Sequence, residues 1–282
     1  MTIEIREITI PVPGEEGKTI FGKLYISKEL EESKQFPVPC VVIGHGGGDQ
    51  EHGAEGVAPL ANMICSMMPF VVFPYDARGW GKSSGPTMEE DPGQCSLNLV
   101  NDLPIVLDYL GKLPEIDENR FGYLGASLSS VVALTTAYGD ARVKVIVVAC
   151  GLNDVRQFYL DIEAAQVKDP ENPTGQEKIL IEAKKNKIFK IVNEGKLDDV
   201  MAKISPNNYL KPDKEKNKDI LLLHAKDDFA VPFKHFEANV KLLNLPETNY
   251  HVFETGGHYF EGHVLEVADI GLEWLDEHLS ED

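Results

Sequence analysis

The run Phe121-Gly122-Tyr123-Leu124-Gly125-Ala126-Ser127-Leu128-Ser129-Ser130 passes from an apolar stretch into a helical pattern, with Ser127 at the junction. A serine on a sharp strand-to-helix turn holds a strained backbone angle. Bulky side chains two positions before or after it would strike the neighbouring chain. Gly125 and Ser129 occupy those positions, so G-x-S-x-G is met in its first half and carries Ser in place of its last Gly. A hydroxyl placed this way is suited to attack a carbonyl carbon and carry an acyl group. Ser is also a favoured helix N-cap, which is the purely structural alternative for Ser127.

Acyl transfer develops a negative oxygen that needs preorganised donors. Gly44-His45-Gly46-Gly47-Gly48 ends an earlier apolar run, and residues without side chains let backbone N–H groups approach such an oxygen. The expected donors are the N–H of Leu128 and an N–H near Gly47; a flexible glycine turn is the alternative. Phosphate binding fits poorly, because G-x-G-x-x-G is absent and no Walker lysine follows. The serine also needs a general base and a group to orient that base. Of eight histidines, His258 sits in a glycine turn after an apolar run, Val252-Phe253-Glu254-Thr255-Gly256-Gly257-His258. His263 is the reserve base, His45 reads as structural, and His52, His235, His251 and His278 read as surface or strand positions. For the acid, Leu221 to Pro232 ends an apolar run in the adjacent carboxylates Asp227 and Asp228. Asp228 is preferred, with Asp227 and then Asp154 as alternatives.

Such groups meet only if the fold brings distant segments to one edge. Ile3 to Ile10 and Thr19 to Ile26 read as strands around a turn and form an expected antiparallel pair. Val38 to Gly44, Phe70 to Tyr75, Phe121 to Gly125, Val143 to Ala149 and Ile220 to His224 are almost continuously apolar, as strands covered on both faces are. Helical periodicity lies between them, at Val57, Leu60, Ile64 and Met67 and again at Leu97, Val100, Leu103, Leu107 and Leu110. Pro104 is expected to kink or split the second of these helices. Val264 to Leu275 starts a closing helix. From about Leu152 to Lys218 there is only amphipathic helical pattern, too long for a plain loop. The expected organisation is therefore a core of residues 1–151 and 219–282, with 152–218 inserted as a helical cap.

The 282 residues carry 27 Lys and Arg against 46 Asp and Glu, a net charge of −19. This surface repels phosphate backbones and anionic membranes, and no apolar run reaches the roughly 18 residues of a membrane span. Cys40, Cys65, Cys95 and Cys150 are far apart with no CxxC pair, so neither a zinc site nor a disulfide framework is expected. Free thiols and the lack of a visible signal peptide point to a cytoplasmic chain. Expected partners are a small-molecule ester, with no nucleic acid and no membrane; homo-oligomerisation is left open.

These segments resemble the α/β-hydrolase superfamily over nearly the whole chain outside the cap. Asp76-Ala77-Arg78-Gly79-Trp80-Gly81-Lys82-Ser83 resembles its D-x-R-G-x-G-x-S turn, and Ile116-Asp117-Glu118-Asn119-Arg120 its I-D-x-x-R lead-in. His224 to Pro232 resembles H-G-x-x-D-x-x-V-P with Ala225 for Gly, and this alignment selects Asp228. The resemblance implies an α/β fold with a mostly parallel, doubly wound sheet, an N-terminal antiparallel pair and a cap after the sixth strand. It implies a Ser127-Asp228-His258 triad, in the chain order usual for this architecture, with no cofactor and no metal. The chain looks most similar to serine esterases of the cinnamoyl/feruloyl-esterase and dienelactone-hydrolase-like group, with Ser rather than the Cys of dienelactone hydrolases. An Asp nucleophile, as in the dehalogenases and epoxide hydrolases, is excluded by Ser127. Esterase, thioesterase, peptidase and acyltransferase chemistry all share an acyl-serine. A carboxylesterase is expected, because the length leaves no room for the large N-terminal propeller of prolyl-oligopeptidase relatives. Phe158, Tyr159 and Phe189, with Lys184, Lys185, Lys187 and Lys190, are candidates either for binding an aromatic or anionic acyl group or for pinning and solvating the cap.

Overall fold

β-Branched and aliphatic runs bury both faces of a strand only where helices cover the sheet on each side. In the computed structural model they do so in one eight-stranded sheet. The structure describes residues 2–33, 35–47, 53–167, 170–185 and 187–280; Gly48 and His52 lie outside them. The strands are β1 (Ile3–Pro11), β2 (Thr19–Ser27), β3 (Val38–Ile43), β4 (Val71–Asp76), β5 (Ile116–Ala126), β6 (Val143–Ala149), β7 (Ile220–Ala225) and β8 (Tyr250–Phe253). Their order is β1-β2-β4-β3-β5-β6-β7-β8. β1 and β2 pair antiparallel, as do β2 and β4; the pairs from β4 through β8 are parallel.

Alternation along β3 shows how the core divides. Cys40 and Val42 face one apolar cluster, Val41 and Ile43 the other. The first cluster is closed by helix Pro92–Leu110, by the helical segment after β5, and by apolar residues of the 155–204 helices such as Tyr159, Val192 and Met201. The second is closed by helices Ala58–Met67 and Val264–Leu279. Each fully buried Val, Ile or Leu is worth roughly 1.5–3 kcal/mol, so the central strands fix the register of everything at their ends.

Between β6 and β7 the described residues hold helices and no strand, among them Val155–Ala164, Gly175–Lys184, Lys187–Asn193 and Asp198–Ile204. Two expectations need correction. The helix Pro92–Leu110 is not split by Pro104. Pro104 has no N–H for the carbonyl of Val100, and the Thr136 hydroxyl donates to that carbonyl at 2.8 Å in its stead. His235 is not a surface or strand residue but lies 3% exposed on helix Lys234–Leu243.

Candidate active site

Parallel strands deliver their following loops to one edge of a sheet, where ligands bind in open α/β sheets. Ser127 follows β5, Cys150 follows β6, Asp228 follows β7 and His258 follows β8. β5 and β8 are three strand spacings apart, about 14 Å, so the His258 loop must fold back across the edge. Positive φ at Gly256 (125°), Gly257 (59°), Phe260 (52°) and Gly262 (87°) makes that turn. A Cβ on Gly256 would also lie 3.1 Å from the Phe260 backbone.

Ser127 itself has φ +54°, a left-handed angle uncommon for a residue with a Cβ. Its neighbours explain how the turn is held. A Cβ on Gly125 would fall 2.6 Å from the Ser129 carbonyl oxygen, so glycine is required there. Ser129 is buried; its Oγ accepts the Ala126 N–H at 2.9 Å, and its one proton faces two carbonyls, Ala126 at 3.0 Å and Gly44 at 3.1 Å. The serine in place of the last glycine therefore ties the turn to the end of β3, which glycine could not do. Ser130 Oγ donates to the Ser127 carbonyl and accepts the Leu152 N–H at 2.9 Å.

His258 Nε2 lies 3.0 Å from Ser127 Oγ, and His258 Nδ1 lies 2.8 Å from Asp228 Oδ2. The second bond fixes the tautomer: Nδ1 donates to the carboxylate, leaving Nε2 to accept from the serine. The Asp228 side chain is fully buried and also accepts the Val231 N–H at 2.9 Å. Burial pushes its carboxyl pKa up, but the hydrogen bond and charge of His258 and the Val231 N–H more than offset this, and the net direction is down.

The other candidates fall elsewhere. Asp227 accepts the N–H of Gly257 at 2.8 Å and of Gly256 at 3.3 Å, bracing the loop that carries His258. Asp154 caps helix Val155–Ala164 by accepting the Gln157 N–H at 2.9 Å. His263 lies 3.2 Å from Glu266 at the start of the last helix. His278 is half-buried against Asp219, at 3.0 Å, and His251 is a residue of β8. Tyr159 and Phe189 are buried, packed edge to face at 5.0 Å, and Lys184 donates to the carbonyls of Glu163 and Ala165. These residues thus hold helices together. The side chain of Lys187 lies outside what is described.

Gly47 stands directly against Leu128: a Cβ there would approach Leu128 Cδ2 at 3.0 Å. The two segments expected to supply oxyanion donors are thus in contact. His45 is buried behind them. Its Nδ1 donates to the Gly46 carbonyl at 2.8 Å and its Nε2 accepts the Ala77 N–H at 3.1 Å. The Gly46 carbonyl and the Gly47 N–H belong to one planar peptide, so His45 orients that N–H. Asp76 secures the same region from below, accepting the N–H groups of Ala54 and Lys82. Arg78 pairs with buried Asp102 at 2.7 Å.

A sheet of this order, with a strained serine after β5, a carboxylate after β7 and a histidine after β8, defines the α/β-hydrolase fold. Within it, the chain belongs to the prolyl oligopeptidase family (Peptidase_S9), which it matches over residues 62–282. It is 28% identical over 131 residues to the Escherichia coli (strain K12) protein YcjY, covering 46% of this chain and 40% of that protein. It is also 28% identical over 160 residues to thiohydrolase aneE of Aspergillus aculeatus, covering 55% of this chain and 46% of that protein. The chain matches under half the length of either curated relative. The solved structure of 2,6-dihydroxy-pseudo-oxynicotine hydrolase superposes with a TM-score of 0.69 at 20% identity, covering 97% of this chain and 68% of that one. Among the described residues no helix is long and apolar enough to cross a membrane.

Sequence reasoning had no separate role for Asp227, which it held as the alternative acid, and none for Cys150, whose Sγ lies 3.4 Å from the His258 carbonyl. The adjacent acidic pair was a signal for the first. Nothing in the local sequence marked the second.

Proposed function

We propose that the chain is a serine hydrolase that cleaves small carboxylic esters through an acyl-serine intermediate. The observation that carries this reading is the relay from Ser127 Oγ through His258 to Asp228, at 3.0 and 2.8 Å. His258 Nε2 takes the Ser127 proton as Oγ attacks the ester carbonyl, and Asp228 holds the imidazole and stabilises its cation. The N–H groups of Gly47 and Leu128 receive the oxyanion. The imidazolium gives its proton to the leaving alcohol. Water then repeats the sequence on the acyl-serine, releasing the acid and restoring the hydroxyl. The helices of residues 152–218 act as a cap over the first core face.

Esterase activity of the cinnamoyl/feruloyl or dienelactone-hydrolase-like kind fits this site, but a specific aromatic acyl pocket gains no support from Tyr159 and Phe189, which pack on each other. A thioester substrate is the second reading, favoured by the 28% identity to a protein named a thiohydrolase.

The test is Ser127→Ala. Turnover of p-nitrophenyl acetate is expected to fall by about 10³-fold or more with an unchanged circular-dichroism spectrum, and a fluorophosphonate probe should label wild type and not the variant. Near-wild-type turnover by Ser127→Ala would remove Ser127 as nucleophile. An unlabelled wild type would point to a non-catalytic binding protein. Rates on matched p-nitrophenyl ester, thioester and p-nitroanilide substrates then rank the leaving groups.

A further inference from the structure

Cys150 has φ +52°, a conformation that costs a residue with a Cβ and is held here by its surroundings. Its N–H donates to the Leu223 carbonyl at 2.9 Å, continuing the β6–β7 ladder one step beyond β6. That register sets its side chain against the residues following β7 and β8. The thiol is buried and lies 3.4 Å from the His258 carbonyl. One ligand atom each from Cys150, Asp228 and His258, a sulfur, a carboxylate oxygen and a ring nitrogen, lie within 4.8 Å of one another.

Resting on the triad reading, we propose that Cys150, Asp228 and His258 form an inhibitory site for a thiophilic divalent cation, with zinc as the representative ion. The donor set selects the class: thiolate and imidazole favour zinc-like ions over magnesium or calcium. Charge selects the valence. A dication bound by one thiolate and one carboxylate makes a neutral cluster, which a buried site tolerates far better than an isolated charge. Zinc bonds of about 2.0–2.3 Å place ligand atoms roughly 3.3–3.8 Å apart. Asp228 and His258, in contact at 2.8 Å, must therefore part by about 0.5 Å, while Cys150, within 4.8 Å of both, closes by up to about 1 Å.

The step balances without a redox partner. The Cys150 thiol loses its proton to solvent and its sulfur bonds the metal. The His258 proton moves from Nδ1 to Nε2 by exchange with solvent, so the imidazole stays neutral, and the freed Nδ1 lone pair bonds the metal. Asp228 turns from accepting a hydrogen bond to ligating. An imidazole protonated on Nε2 cannot accept the Ser127 proton, so the metal switches the relay off while leaving Ser127 in place. The three ligands are 78 and 30 residues apart, so no CxxC-like spacing could announce them.

The experiment has an activity arm and a binding arm. In the first, p-nitrophenyl acetate turnover is followed against micromolar zinc, with EDTA added afterwards, for wild type, Cys150→Ser and Cys150→Ala. Wild type should lose at least about tenfold and recover on chelation, whereas either variant should need at least about tenfold more zinc for the same loss. In the second arm, zinc binding to Ser127→Ala, which retains all three ligands, is measured by equilibrium dialysis. One equivalent should bind at micromolar zinc, and Ser127→Ala/Cys150→Ser should lose it. The binding arm reads the site even if no ester is turned over, so failure of the hydrolase reading and failure of the metal site are separable. Equal zinc sensitivity in wild type and a folded Cys150 variant would overturn the proposal. So would the absence of zinc binding to Ser127→Ala, which needs no Cys150 variant to fold.

Discussion

Two adjacent carboxylates divide their work because side chains that follow a strand leave it in different directions. Asp228 turns inward, fully buried, to His258 Nδ1, while Asp227 reaches the backbone N–H groups of Gly256 and Gly257. Asp228→Asn would present an amide to Nδ1 and favour the wrong imidazole tautomer, so turnover should fall by about 10³–10⁴-fold. Asp227→Asn keeps an acceptor oxygen but loses the charge-assisted bonds to the loop. Its expected cost is about 1–3 kcal/mol of stability with a much smaller loss of turnover. The check is turnover and urea unfolding of both variants; a larger catalytic loss in Asp227→Asn would exchange their roles. Ser127 and His258 were legible because glycines and small residues flank each where the turn demands them. Asp227 and Asp228 were not separable by local pattern, since both follow β7 with the same chemistry. The alignment with H-G-x-x-D-x-x-V-P picked the one that touches the histidine. Cys150 was illegible because its neighbours in space lie on other strands.

Elements show the same division between local and tertiary information. Alternation and apolar continuity located six strands to within one residue at each end. β5 instead begins at Ile116, five residues before the expected Phe121, because its polar lead-in Asp117 to Arg120 hides the strand pattern. The helical stretch between β6 and β7 was visible as the lack of any strand pattern. Pro104 does not split its helix because a proline's cost there depends on what becomes of the carbonyl four residues earlier. That carbonyl belongs to Val100, and its donor is Thr136, 36 residues away, in the helical segment after the Ser127 turn. Such a bond leaves no trace in the periodicity of either helix. It yields a coupled prediction. Thr136→Val should cost about 1–3 kcal/mol by leaving the carbonyl unpaired. In a Pro104→Ala background the new Ala N–H supplies a donor, so the cost should shrink by at least about 0.5 kcal/mol. Urea unfolding of the four proteins measures this. Equal costs in both backgrounds would mean the Thr136 hydroxyl does not compensate the proline.

At the scale of the whole molecule, the two covered faces of the sheet enclose three histidines, His45, His224 and His235, at 4, 0 and 3% exposure. Burial lowers the pKa of each, outweighing the carboxylates that face them: Asp76 for His45, Asp228 for His224 and Asp161 for His235. Their bonds suit neutral rings. His45 Nε2 accepts from Ala77 and His235 Nδ1 accepts from Asn153, and a protonated ring could do neither. With folded pKa values below the unfolded one, the unfolded chain binds more protons in the interval between them. The stability contribution is therefore full above about pH 6.5 and is lost as pH falls through the folded values. Inside that interval each histidine costs up to about 1.4 kcal/mol per pH unit, or about 4 kcal/mol for all three. The surface acts in the opposite direction. A net charge of −19 repels itself, and acidification toward the isoelectric point near 4.8 relieves that repulsion. Salt separates the two, because it screens exposed charges beyond about 8 Å at physiological strength and does little for a buried ring. In high salt the urea midpoint should therefore drop between pH 7 and about pH 5.5. His235→Gln, which cannot titrate, should reduce that drop without removing it. Buried Asp102, its carboxyl pushed up to about 6, takes up a proton in the same range and opposes the drop. The decisive reading is therefore the difference between proteins: equal drops in wild type and His235→Gln would show that the His235 ring is not held neutral by the fold.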